Sequence, residues 1–345
     1  MKNQFKGKFV FLYAVTLINH AFVSWLIVYM RHLFPVFSQV IERGFNVIES
    51  SPFLSNLIST HAQWESICFG LLLSIKPLGE AIMVWFWSRR ANLSSCFALR
   101  SGIALSAVAC LCFILGIYFK WLTFLILAQL FLGLSCSAIF IIQVILTALS
   151  TSRERTSAFN FMEWSVGLGM SFGPLIGSVL VSIKSSHSSL FPFMIVFLVD
   201  LMMIAFCFRH FISSSLSLGA AVKSEKRPCA VNRWYLISWL CFQFSFQGYY
   251  HWFPSLMKIN FNFTHAQLAS FYTWLGLFYI FCQFFLVRLF SKKNIHRFVV
   301  MVTMPIMGST FVVMGLCQTL GWIYLASAFY MLAVSFYLPF WKAYL

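Results

Sequence analysis

Ten apolar segments, each long enough to cross a bilayer as a helix, constrain what this chain can fold into more than any other feature. They cover residues 9–30, 66–87, 101–119, 121–149, 159–183, 190–208, 234–257, 266–290, 298–320 and 322–344. About 17–25 helical residues span a hydrocarbon core of ~30 Å. Inside lipid a backbone must satisfy its own hydrogen bonds, which a helix does within itself. Composition agrees, with 61% of the 345 residues apolar and 9% charged, against about 45–50% and about 25% in soluble domains. A soluble domain is excluded, and a nucleic-acid binder with it. The expected fold is all-α, a polytopic membrane bundle of about ten transmembrane helices.

Charge then reports orientation. The net charge is +16, from 24 Lys and Arg against 8 Asp and Glu. With the N-terminus in the cytoplasm, eighteen of the basic residues fall on the cytoplasmic side, five on the outer side, and Lys76 within a span. The positive-inside rule therefore sets the N-terminus in the cytoplasm. Met1 to Lys8 is basic, and the apolar run behind it is about 22 residues long with no small-x-small cleavage site, so it reads as a retained first span and not a signal peptide. The ten cysteines lie mostly inside apolar runs, without a CxxC pair or His/Cys ligand spacing. They read as small buried hydrophobes, and no metal or cofactor is expected. Abundant Phe and small loops suit a bacterial inner membrane.

Two connections are long, an outer one over 31–65 and a cytoplasmic one over 209–233. The second carries Ser213-Ser214-Ser215 and Lys223-Ser224-Glu225-Lys226-Arg227 and divides six spans from four. The expected organisation is an N-terminal six-helix bundle over 1–208, a basic linker over 209–233, and a C-terminal bundle over 234–345. An internal repeat supports it. Thr60-His61-Ala62-Gln63-Trp64-Glu65-Ser66 opens the second span and Thr264-His265-Ala266-Gln267-Leu268-Ala269-Ser270 the eighth, with five identities in seven positions. Each is followed by a span and a basic turn, Ser88-Arg89-Arg90 and Ser291-Lys292-Lys293. Duplicated helical units of this kind build many transporters. At the repeat offset of 204, Leu345 corresponds to Ile141, so the second copy is expected to lack its last two spans.

In the fifth span, Gly169, Gly173 and Gly177 recur every four residues and clear one helix face for a close partner, while Pro174 removes a backbone donor. Glu154-Arg155 precedes Gly169 by fifteen residues, counted from Glu154. With this pattern the chain resembles the major facilitator superfamily, and more particularly its drug:proton antiporter branch, in which a fifth-span GxxxGPxxGG follows a Glu-Arg pair at this spacing. The matching positions are Glu154, Arg155, Gly169, Gly173, Pro174 and Gly177, with Ser178 at the last glycine. The topology resembles that of the family along the whole chain. Two positions depart from it. The family's loop GxLxDRxGRR is represented by a segment that keeps Arg89 and Arg90 but has Ser88 for the acid and Ala91 for the glycine. Gln129, four residues before Gly133, stands where the family has an arginine linked to proton coupling.

The resemblance implies a secondary transporter, monomeric in the lipid bilayer, whose two bundles rock about a central site. It exports a small organic molecule in exchange for protons. An uptake permease of the same fold and a non-transporting remnant are the alternatives. A membrane enzyme would need paired His, Asp or Glu at the surface, and the eight histidines show no such spacing, so no enzyme is expected.

Ionisable side chains inside apolar spans are costly and mark sites by default. Lys76 and Glu80 lie four apart on one face of the second span, as an ion pair or with Glu80 as a proton or cation site. Glu163, near the cytoplasmic end of the fifth span, has no neighbour of opposite charge in sequence and suits proton exchange. Asp200 sits mid-way along the sixth span. By the resemblance, the first and seventh spans line the central cavity. Asn19, His20, Gln247, Tyr250 and His251 are then candidate substrate contacts, together with Gln129 in the fourth span. A cavity of aromatics with few charges suits amphipathic or aromatic cargo.

Overall fold

The computed structural model describes residues 2–29, 61–89, 94–150, 155–182, 190–210, 233–287 and 296–344. Among them are eleven α-helices: α1 (Lys2–Tyr29), α2 (His61–Arg89), α3 (Ser95–Phe119), α4 (Leu122–Ser135), α5 (Ser137–Leu149), α6 (Arg155–Ser182), α7 (Phe191–His210), α8 (Arg233–Phe261), α9 (His265–Phe281), α10 (His296–Leu316) and α11 (Leu320–Tyr344). A π-helical turn, Cys282–Val287, continues α9. Each expected span overlaps one or two of these helices. Residues 30–60 and 211–232, which hold most of the two long connections, lie outside the described residues.

By length and composition, Ser95–Phe119, Leu122–Thr147, Ala266–Phe285 and Leu320–Pro339 are apolar enough to cross a membrane, and Val10–Val23, Phe191–Phe206 and Met301–Leu316 are shorter apolar helices. α2, α6 and α8 are more polar but long, at 29, 28 and 29 residues. At 1.5 Å per residue each reaches roughly 42 Å, more than a hydrocarbon core.

The structure refines three boundaries. The expected span 121–149 is interrupted at Cys136, whose N–H donates to both Leu132 O and Gly133 O. The Ser135 hydroxyl donates back to Leu132 O at 2.7 Å. Such back-bonding competes with the helical ladder and bends it. The span 266–290 passes into the π turn, and 298–320 stops at Leu316. The start of α9 explains half of the repeat: Thr264 Oγ1 accepts from Gln267 N at 3.3 Å while Thr264 N donates to Gln267 Oε1 at 2.8 Å. This capping box satisfies two otherwise orphaned donors. Its counterpart Thr60 lies outside the described residues.

By packing, the chain divides into two compact units. One comprises Met1–Val28, Leu146–Val179 and Glu225–Leu345, the other Tyr29–Ile145 and Leu180–Ser224. In the second unit, glycines set the closest approaches. A Cβ on Gly133 would collide with the carbonyl oxygen of Lys76, and one on Gly79 would stand 2.7 Å from Leu130 O, so α2 and α4 touch backbone to backbone. α7 lies on α3 through stacked Phe193 and Phe113, 4.9 Å between centroids.

The core of the first unit is aromatic. Phe242, Tyr249 and Phe253 of α8, Phe271, Tyr272 and Tyr279 of α9, and Tyr330 and Tyr337 of α11 are all buried in it. Tyr249 stacks on Tyr330 at 4.6 Å and Phe242 on Tyr337 at 4.5 Å. The same tyrosines bond to serines, Ser245 with Tyr330 at 3.4 Å and Ser238 with Tyr337 at 3.0 Å. Both pairs are spaced seven residues apart on each helix and run in opposite directions, which registers α8 against α11 as antiparallel neighbours. Lipid supplies no hydrophobic drive between such helices, so close packing and interhelical hydrogen bonds must hold them.

Candidate functional site

α6 is the axis of the site. Its glycines and serine open two opposite faces. On one, a Cβ at Gly169 would stand 2.6 Å from Leu17 O and 2.7 Å from Ala21 N, so α1 lies against the bare backbone. On the other, a Cβ at Gly167 would come within 2.9 Å of Tyr279. One at Gly276 of α9 would collide with the Ser171 hydroxyl. The Thr273 hydroxyl donates to Ser171 O at 3.0 Å across the same seam. Gly173, Pro174 and Gly177 continue along α6 and are buried.

Where α9 runs down this face it meets Glu163. The carboxyl is 1% exposed, and its Oε2 accepts from the hydroxyl of Tyr279, itself 2% exposed, at 2.7 Å. One helical turn on, Gln283 begins to face α11: its Nε2 donates to Ser335 O at 3.0 Å. It also lies beside the Tyr279 hydroxyl. Trp164 packs on Phe284 at 4.8 Å between centroids and edge-on to Phe161 at 4.9 Å. Gln283 and Phe284 both belong to the π turn, a rare conformation found frequently at functional sites. Three buried polar atoms in this seam have no hydrogen-bond partner: Asn160 Oδ1, Trp164 Nε1 and Gln283 Oε1.

Several expected residues gather nearby in the first unit. His20 sits where α1 touches Gly169, with Nδ1–H donating to Thr16 O at 2.9 Å. Asn19 beside it has a buried Oδ1 without a partner. Tyr250 is buried, and its hydroxyl donates to Met170 Sδ at 3.3 Å. Gln247 and His251 lie on the α8 backbone, and their side chains fall outside the described residues, as do Glu154, Arg90 and the side chain of Arg155.

The remaining candidates belong to the second unit. Lys76 and Glu80 are half-buried on α2, and both act electrostatically on the Cys136 thiol. Gln129 is buried on α4. Asp200 of α7 is 5% exposed, beside the Ser106 hydroxyl and Cys110 of α3. Arg89 closes α2 over the ring of Trp85 at 4.3 Å, an exposed cation–π contact. Among the described residues no group of three or more His, Cys, Asp or Glu is placed to hold a metal ion.

Sequence reasoning missed Tyr279, Gln283, Ser335, Asn160 and Trp164. The four-residue spacing of Tyr279 and Gln283 was the one available signal, and it is weak in a span so rich in aromatics.

A helical membrane protein with one acid buried in an aromatic, hydroxyl-lined interior is the kind of chain that carries solutes across bilayers. The profile of the Major Facilitator Superfamily matches residues 21–345, and the chain belongs to that family. It is a secondary transporter and an integral, multi-pass membrane protein. No curated protein matches it in sequence. In structure it is similar to the human organic anion transporter MFSD10 (TETRAN), with a TM-score of 0.76 at 14% identity over 97% of this chain and 84% of that one. It is also similar to the E. coli fucose:proton symporter FucP, with a TM-score of 0.63 at 14% identity over 98% of this chain and 87% of that one. A second FucP structure, in the outward conformation, gives 0.64 at 15% identity over 98% and 86%.

Proposed function

We propose that this transporter exports a small organic molecule by alternating access, driven by proton entry, with Glu163 as the group that takes and gives up the proton. The observation that carries this is the fully buried Glu163–Tyr279 hydrogen bond. A tyrosine hydroxyl donates to a carboxylate and accepts from a carboxylic acid, so one partner serves both protonation states. Intramembrane acids of this kind are the usual elements of proton relays. The fifth-span motif supports antiport. The basic bias toward one side supports a cytoplasmic N-terminus, and a bacterial inner membrane and a monomer complete the reading.

The test is flux in vesicles of the purified protein under an imposed pH gradient, with counterflow of labelled substrate at equal pH as the second measurement. Glu163→Gln is expected to abolish gradient-driven flux and leave counterflow intact. Gradient-driven flux at the wild-type rate in Glu163→Gln would remove this residue from coupling.

A further inference from the structure

We infer that Lys76 and Glu80 of α2 bind a zwitterionic cargo, a small molecule that carries an ammonium and a carboxylate close together on an apolar body. This rests on the transport reading above and names its substrate class.

The argument begins with the state of the two side chains. They lie four residues apart on α2, where side chains at i and i+4 are neighbours. Both are half-buried, and neither holds an ion pair or a hydrogen bond among the described residues. Sequence order accounts for part of this. At this spacing a glutamate N-terminal to a lysine pairs well, and the reverse order, which stands here, pairs less well. Their described interaction is electrostatic, with the Cys136 thiol at the break in the fourth span. Two opposite charges held apart within a span are costly unless polar groups reach them.

Helix geometry turns the pair away from lipid. The exposed apolar stripe of α2 is Leu71, Leu78, Ile82 and Trp85, with Leu78 58% exposed. Leu78 is two residues from each of Lys76 and Glu80, about 200° around the helix. On the opposite side α4 comes closest, where a Cβ on Gly133 would collide with Lys76 O and one on Gly79 would stand 2.7 Å from Leu130 O. Lys76 and Glu80 therefore lie along the edge of the α2–α4 contact, accessible and remote from the apolar stripe.

The signs then set the class. An anion that meets Lys76 leaves Glu80 beside it uncompensated, and a cation that meets Glu80 leaves Lys76 so. A molecule with both charges satisfies both side chains at once, its ammonium N–H donating to the Glu80 carboxylate and its carboxylate accepting from Lys76 Nζ. Such charge-assisted hydrogen bonds are the strong ones. The two charges of the cargo must be close together, because Lys76 and Glu80 are one helical turn apart.

The experiment measures equilibrium binding of three labelled probes to the purified full-length protein: phenylalanine, phenethylamine and 3-phenylpropionate. They share a phenyl body and differ in which charges they carry. Phenylalanine is expected to bind at least about ten-fold more tightly than either of the others, the ratio one charge-assisted hydrogen bond produces. Lys76→Gln is expected to weaken phenylalanine by roughly ten-fold without weakening phenethylamine, and Glu80→Gln to weaken phenylalanine as much without weakening 3-phenylpropionate. A merely structural role would weaken all three probes together. Should one variant fail to fold, the other alone decides. No binding of phenylalanine, equal or tighter binding of a singly charged probe, phenylalanine affinity unmoved by either variant, or equal loss of all three probes would each overturn the inference. Selective phenylalanine binding without gradient-driven flux sinks the export scheme and leaves this inference standing. Gradient-driven flux of phenethylamine or 3-phenylpropionate with no binding of phenylalanine does the reverse.

Discussion

Tyr279 and Glu163 stand 116 positions apart in sequence, and a 2.7 Å hydrogen bond joins their buried side chains. Removing the donor leaves the carboxyl buried with one bond fewer. An unmet buried group costs about 1–3 kcal/mol, more when charged. Tyr279→Phe is therefore expected to lower the thermal stability of the detergent-solubilised protein and to slow gradient-driven flux by about ten-fold or more. Glu163→Gln keeps an oxygen for Tyr279 and is expected to be the milder change in stability. A melting curve that ranks the two variants the other way would separate the bond from stability.

The α6–α9 crossing predicts opposite outcomes for one substitution at two glycines. Gly276→Ala drives a methyl group into Ser171, with Ser171 N at 2.8 Å and Gly167 O at 3.0 Å behind it. Overpacking of this kind costs roughly 1–3 kcal/mol. At Gly308 of α10 an added methyl group would meet nothing within 4 Å, so Gly308→Ala gains helix propensity, about 0.5–1 kcal/mol, without a clash. Melting temperatures should fall for the first and hold or rise for the second. Ser171→Gly added to Gly276→Ala should recover part of the loss, and not all of it, because the backbone contacts persist.

The serine–tyrosine ladder between α8 and α11 makes a third expectation. Interhelical hydrogen bonds inside membrane bundles average about 0.6 kcal/mol. Ser238→Ala and Tyr337→Phe each break the 3.0 Å bond, and the double variant should cost little more than either single one. A double-mutant cycle on unfolding in denaturing detergent reads the coupling directly. Full additivity would show that the bond contributes nothing to stability.

How far the sequence could be read depended on whether the signal was local. Glu163 was legible because one acid in an apolar run is conspicuous by composition alone. Tyr279 was not, because one tyrosine among many aromatics carries no mark and its partner lies on another helix. Gly169 was legible through the four-residue repeat, yet that repeat directs attention to a single face. Gly167 is two residues away, about 200° around the helix, and so serves the opposite face, toward α9. The span 121–149 looked continuous because side-chain back-bonding by Ser135 and the shared donor of Cys136 do not alter hydropathy. The π turn at Cys282–Val287 carries the tertiary contacts of Gln283 and Phe284, and the hydropathy of the span does not mark it.

Asp200 supplies the sharpest contrast with Glu163. Both are buried acids in apolar spans, but Asp200 lies between α3 and α7 of the second unit, beside Ser106, with Oδ2 lacking any hydrogen-bond partner. No tyrosine hydroxyl among the described contacts serves it as Tyr279 serves Glu163. An amide of the same shape can keep one oxygen toward Ser106 while carrying no proton through a transport cycle. Asp200→Asn is accordingly expected to leave gradient-driven flux within about two-fold of wild type, while Glu163→Gln loses it. The measurement is the same vesicle assay on both variants, normalised to the amount of folded protein. Loss of coupling in Asp200→Asn with retention in Glu163→Gln would move the proton-carrying carboxyl to the second unit and detach the α6–α9 seam from the driving force.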